Sequence, residues 1–407
     1  RNFNGKGEVR EATFFNRYRS LVQWMFQCME KRRKMKFGKR VALCLMLILA
    51  MTVLALSGCS KKKETKTEEK PTQQKEVKKQ EPTPEVTKEP EEEKIPENQN
   101  LLTGLPDLTD EAIGKRPVAV MVNNIPAAMP QYGVEKADII FEIPVEGDQT
   151  RFMALYADYT TVPKICAIRS CRYYFPALSQ GFDAFYVNWG IDDSIAEYLE
   201  ALNLDQYDGI YNAGGLFGRD TDRRNQGYSL EHTGYFDGTK FAEVVKKQGK
   251  RTDLEDDKKD TAFKFNGLKE QIKPSGDACK KVNIDFGAQS ATLTYDADSN
   301  TYKKENCGEK QIDGKTGNQL AFTNVFVLET SISVRDDVGH KNVDWNGGDD
   351  SVGYYISNGA MQKIKWYKEE NNEKDRLHFL DESGNELSIN RGKSYIAFNY
   401  PNQTKFE

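Results

Sequence analysis

Five residues carry the most legible chemistry in this chain: Arg151, Arg169, Arg172, Glu142 and Glu146. A guanidinium presents a planar fork of donors that chelates a phosphate or carboxylate bidentately. Glu142 and Glu146 lie at even spacing near the end of the apolar run Ala137–Val145, so on an extended strand their side chains are expected to share a face. Arg151 opens the next run across a Gly147-Asp148-Gln149-Thr150 turn, and Arg169 and Arg172 close a later one. Loops at strand ends converge, which makes such positions natural site material for an anionic ligand. A plainer reading stays open beside it, with Glu142 and Arg151 as an interstrand ion pair and Arg172 as a surface residue. His232 joins the ligand-binding candidates because it follows the polar, Gly-rich loop Asn212–Gly227, which carries Arg219, Arg223 and Arg224 and has the length to close over a site. An ordinary hydrogen-bonded imidazole fits the same position.

No catalytic residue is assigned. The chain lacks a Gly-x-Ser-x-Gly elbow and shows no Cys–His nucleophile pair. His232, His340 and His378 are far apart in sequence, none with a His or Cys at ligand spacing, so neither a metal set nor a cofactor is expected. Asp296, Asp298 and Asn300 begin like a calcium loop, but Thr301 stands where that loop needs Gly and Cys307 where it needs Glu. A hairpin turn is expected there instead. Cys166, Cys171, Cys279 and Cys307 are expected as free thiols, with at most one optional bond.

These residues need elements to position them. Over about 101–270, β-rich runs recur at Pro117–Asn123, Ala137–Val145, Arg151–Ala157, Lys164–Arg169 and Ala184–Trp189. Helical stripes follow at Ile195, Tyr198, Leu199 and Leu202, and again at Phe241, Val244 and Val245. This mixture predicts an α+β or α/β first domain, a mixed sheet with flanking helices. Residues 275–407 hold short strands separated by turns, from Val282–Phe286 to Tyr395–Tyr400, and predict a mainly antiparallel β second domain.

The N-terminal hundred residues are of another kind. Met35 begins a basic stretch, an apolar run spans Val41 to Leu56, and Leu56-Ser57-Gly58-Cys59 closes it. That order is an export signal over 35–58, and its ending resembles the lipobox of bacterial lipoproteins. The resemblance implies cleavage after Gly58 and a diacylglycerol thioether on Cys59, the lipidation site. Residues 1–34 read as upstream sequence or an incorrect start. Residues 60–100 hold 10 Lys, 11 Glu and 5 Pro with no aromatic residue, the composition of a disordered tether. The 407 residues carry a net charge of −4; without residues 1–58 the balance is −13. Such a body is repelled by nucleic acid, so any anionic ligand must be held by a local cationic cluster.

Several stretches resemble the YerB-like family of bacterial lipoproteins. They are NLLTGLP at Asn100–Pro106, RPVAVMVNN at Arg116–Asn124, ADIIFEIPVEGDQTRFMALY at Ala137–Tyr156, IRSCRYYF at Ile168–Phe175, HTGYFDG at His232–Gly238 and WYKEENNEKDRLHFLDESGNEL at Trp366–Leu387. The resemblance implies two domains of unknown function on a lipid anchor and supplies no catalytic residues. A looser similarity joins the first domain to LytR-CpsA-Psr phosphotransferases: a strand ending in Arg169, then Tyr186-Val187-Asn188-Trp189-Gly190, a helix and Leu204–Asp208. It implies arginines on a polyprenyl pyrophosphate, although Ile168-Arg169-Ser170 stands where that family has Pro-Arg-Asp.

Together these features suggest a protein anchored by lipid on the extracytoplasmic face of a bacterial membrane. Its expected role is a binding module for an anionic cell-wall or lipid-carrier component. A phosphotransferase and a structural partner of another envelope protein remain as alternatives.

Overall fold

A computed structural model describes residues 94–407, and these fold as one compact unit. The segments 1–34 and 35–58, Cys59 and nearly all of the 60–100 tether lie outside the described residues. Before Leu101, Asn100 is already buried, with its side-chain amide donating to Asp107 and Asp138.

Strands from both halves of the sequence build a single ten-stranded mixed sheet. Its order is His378–Leu380, Ala360–Tyr367, Val352–Ser357, Asn324–Glu329, Ser394–Asn399, Ile139–Pro144, Thr150–Tyr156, Val118–Asn123, Phe185–Asn188 and Gln206–Asp208. Ser394–Asn399 is the seam, pairing in parallel with Asn324–Glu329 on one side and Ile139–Pro144 on the other. The second half remains mainly antiparallel. It also forms a smaller antiparallel sheet around Lys281–Asp285, Ser290–Asp296 and Thr301–Asn306. Asp296 and Thr301 face each other at the end of a hairpin, the turn expected in place of a calcium loop.

The central strands are buried on both faces, which is why they read as continuous apolar runs instead of alternating ones. Ala119, Met121, Phe141, Met153 and Leu155 pack on one face with Tyr174 and Phe175 of the helix Tyr174–Gln180. Val118, Val120, Ile140, Phe152 and Ala154 pack on the other with Phe241 and Val245 of the helix Phe241–Lys247, and with Val282 and Leu293 of the smaller sheet. At the start of the helix Ala196–Leu202, Asp192 accepts from the Ser194 backbone N–H. A carboxylate just upstream therefore tethers the turn that leads into this helix.

Candidate functional site

Val118–Asn123, Phe185–Asn188 and Gln206–Asp208 run in parallel, and each ends in a polar side chain: Asn123, Asn188 and Asp208. The carboxyl ends of parallel strands are where open α/β sheets usually place ligands. The segment Arg169–Arg172 is stitched across these ends. The Arg169 N–H donates to the Met121 carbonyl at 3.0 Å, the Trp189 N–H to the Arg169 carbonyl at 3.0 Å, and the Cys171 N–H to the Gly190 carbonyl at 3.0 Å. Arg151 enters from the antiparallel neighbour, opposite Asn123 on one side and Ile143 on the other.

Three of the five residues singled out from sequence meet around one carboxylate. Arg151 is buried; its Nη1 donates to the Ser170 carbonyl at 2.7 Å and its Nη2 to Glu146 Oε2 at 3.2 Å. Arg172 donates from Nε to Glu146 Oε1. Burial pushes the Glu146 carboxyl up, but the Arg172 hydrogen bond and the charges of Arg151 and Arg172 outweigh it, so its pKa is lowered. Burial, then the neighbouring charges of Arg172 and Arg169, bring the Arg151 guanidinium down to about 10 against the pull of Glu146.

Arg169 stands at the edge of this group, with Nη1 3.0 Å from Glu231 Oε2 and a buried Nε that has no hydrogen-bond partner. His232 is buried beside it. The Asn123 amide lies 3.1 Å from His232 Nδ1, and His232 Nε2 is 3.7 Å from Glu231 Oε1. Burial lowers the imidazole pKa; Glu231 opposes that shift, while the cations Arg169 and Arg223 reinforce it.

Glu142 does not join them, contrary to the shared face expected with Glu146. The strand ends at Pro144 and Glu146 already opens the turn that follows, so even spacing no longer sets the side. Glu142 pairs with Phe152, while Arg151 pairs with Ile143, and alternate residues face opposite sides of the sheet. The Glu142 carboxylate therefore enters the other core. There it accepts from Asn124, Thr150 and Tyr395 at 2.8, 2.7 and 2.6 Å and pairs with Lys304 at 3.1 Å.

The arginines of the Asn212–Gly227 loop divide. Arg223 is fully buried and donates to the Ala128, Pro130 and His232 carbonyls, a structural clamp. Arg219 lies 4.0 Å over the Trp189 ring.

Sequence reading missed the contribution of the second half. The hairpin of Ile332–Val334 and Lys341–Val343 carries Arg335, Asp336 and His340 to the site. His340 Nε2 is 3.7 Å from Glu146 Oε1, and His340 Nδ1 is 2.7 Å from Asp336 Oδ2. Asp192, Asp336 and His340 place ligand-type atoms within 4.8 Å of one another, a grouping that sequence spacing could not show. Arg335, however, donates to both carboxylates and so supplies the neutralising cation itself. The available signal for Asn123 and Asn188 was a polar residue ending an otherwise apolar run; Asp208, in the short strand Gln-Tyr-Asp, and the hairpin residues offered none.

Comparison with known proteins places this arrangement. Residues 102–251 match the N-terminal domain, and residues 282–396 the C-terminal domain, of a protein family of unknown function, DUF3048. The chain is 30% identical over 270 residues to YerB of Bacillus subtilis (strain 168), a protein named as an inferred lipoprotein; the match covers 65% of this chain and 76% of the relative. The chain belongs to the YerB-like family. The crystal structure of YerB from Bacillus subtilis superposes with a TM-score of 0.63 at 26% identity, covering 75% of this chain and 98% of that one. The family shared with an inferred lipoprotein accords with membrane tethering, and among the described residues no helix is long and apolar enough to cross a membrane.

Chemically, the site is a cationic shelf at the ends of the sheet's strands. Two buried guanidiniums share one carboxylate, and a third sits beside them with spare donor capacity.

Proposed function

We propose that this YerB-like protein is a lipid-tethered binding module on the extracytoplasmic face of the membrane, holding an anionic, phosphate-bearing envelope component at Arg151, Arg169 and Arg172. The observation that carries the reading is the charge imbalance around Glu146. One carboxylate serves both Arg151 and Arg172, while Arg169 is paired only at Nη1, with Glu231, and keeps a buried Nε without a hydrogen-bond partner. A phosphate supplies the missing negative charge and accepts from the planar guanidinium forks. In a chain of net negative charge, such a local surplus selects ligands against the overall field.

The phosphotransferase alternative needs a carboxylate free to act as base or to hold a magnesium ion. Glu142 lies on the opposite face and Glu146 is engaged by two arginines, so retention of a ligand is better supported than turnover.

The test is calorimetric titration of the full chain with inorganic phosphate, pyrophosphate and phosphate-bearing wall polymers. Each charge-assisted hydrogen bond contributes about 1.5–3 kcal/mol, so Arg169→Ala should weaken binding about 10–100-fold. Arg151→Ala/Arg169→Ala should abolish it. Equal affinities for wild type and both variants would overturn the assignment.

A further inference from the structure

The guanidinium of Arg169, the third arginine of the shelf, makes a single hydrogen bond among the described residues, from Nη1 to Glu231 Oε2 at 3.0 Å. The backbone that carries Glu231 is fastened on both sides. The His232 N–H donates to the Ser229 carbonyl at 2.9 Å, and Arg219 and the Thr233 hydroxyl donate to the Leu230 carbonyl at 2.8 and 2.7 Å. Arg223 Nε donates to the His232 carbonyl at 2.9 Å. Between these bonds the Glu231 side chain is 53% exposed. It can swing into solvent while the turn beneath it stays in place.

His232 backs the other oxygen of the same carboxylate. Asn123 Oδ1 accepts from the Ile125 N–H at 3.3 Å, which turns the Asn123 amide nitrogen toward His232 Nδ1 at 3.1 Å. An amide nitrogen only donates, so Nδ1 accepts and the imidazole proton sits on Nε2. That nitrogen faces Glu231 Oε1 at 3.7 Å. A second proton, on Nδ1, would meet the Asn123 donor, and burial also lowers the imidazole pKa. Near neutral pH the imidazole therefore orients Glu231 without adding a charge.

We propose that Glu231 is an intramolecular latch on the arginine shelf: its carboxylate holds Arg169 until a phosphate-bearing ligand displaces it. The inference rests on the reading of the shelf as a phosphate site and adds its regulation. A side-chain carboxylate offers a guanidinium the same charge-assisted hydrogen bond as a ligand oxygen, so the two compete for one donor. Apparent affinity is then reduced by the fraction of molecules in which Glu231 is turned away. Because the turn is fastened, that fraction depends on the length and charge of one side chain.

The test is calorimetric titration of the full chain with sulfate, a phosphate isostere whose charge is constant across the neutral range. Glu231→Asp keeps the charge but is one methylene shorter, and the fastened turn cannot follow it toward Arg169. This variant should bind sulfate about fivefold more tightly than wild type, the worth of a partly exposed ion pair. Glu231→Gln should gain at least as much. In an Arg169→Ala background, Glu231→Asp should change nothing. Wild-type affinity in Glu231→Asp, with the gain confined to Glu231→Gln, would show a charge effect only and overturn the latch. So would an equal gain from Glu231→Asp with and without Arg169. Sulfate bound equally by wild type and Arg169→Ala would overturn the shelf reading itself, and the latch with it.

Discussion

Lys304 and Glu142 form a fully buried ion pair at 3.1 Å that joins the two halves of the chain. Tyr395, Asn124 and Thr150 satisfy the rest of the carboxylate, and Gln311 accepts from the ammonium at 2.8 Å. Burial lowers the Lys304 pKa, and Glu142 resists that shift. The pair couples the seam of the large sheet to the smaller one.

Removing one partner strands the other charge in the core. Lys304→Met should destabilise the protein by about 3–5 kcal/mol. The double substitution Glu142→Gln/Lys304→Met should recover much of that loss, because no charge is then left buried. Denaturant unfolding of the two single variants and the double variant closes the cycle; strict additivity would refute the coupling.

Glu146→Gln should cost about 3 kcal/mol for the same reason, since Arg151 and Arg172 would lose their shared anion. Millimolar inorganic phosphate should return part of this stability and should help the variant more than wild type. Melting curves with and without phosphate read the difference directly.

Asp138 gives a pH signature of opposite sign to a salt-bridged carboxylate. Burial raises its pKa from 3.8 to about 6, although the Ala157 N–H and the Asn100 amide donate to it. Its stability contribution is therefore complete below about pH 4 and lost as pH rises through about 6, a change of roughly 3 kcal/mol. Measured relative to Asp138→Asn, wild-type stability should fall between pH 4.5 and 7. A difference independent of pH would contradict this.

Among the four described cysteines, all free thiols, Cys307 alone is exposed. Burial raises the thiols of Cys166 and Cys171 to about 12. Iodoacetamide should label Cys307 in the native protein and reach Cys166, Cys171 and Cys279 only after unfolding. Peptide mapping by mass spectrometry distinguishes the sites.

Local pattern by itself determined much of this protein. Apolar β-rich runs mark the central strands to within a residue or two, because strands buried on both faces need no partner to announce themselves. The Asp296–Asn300 hairpin turn followed from residue chemistry alone. The conjunction of Arg151 and Glu146 was legible because they flank one turn between locally paired strands, whereas Arg172, expected at a strand end, lies six residues beyond the strand Lys164–Cys166 and is brought to Glu146 by the tertiary structure. Only the tertiary structure decided the rest. Parallel pairing of Ser394–Asn399 with Ile139–Pro144 joins residues some 250 positions apart, and no local periodicity encodes a partner at that distance. The same long-range closure carries His340 to Glu146 and Lys304 to Glu142. The side taken by Glu146 was not fixed by pattern, because the strand ends at Pro144 and Glu146 opens the turn beyond it, where the alternation that governs a strand no longer applies.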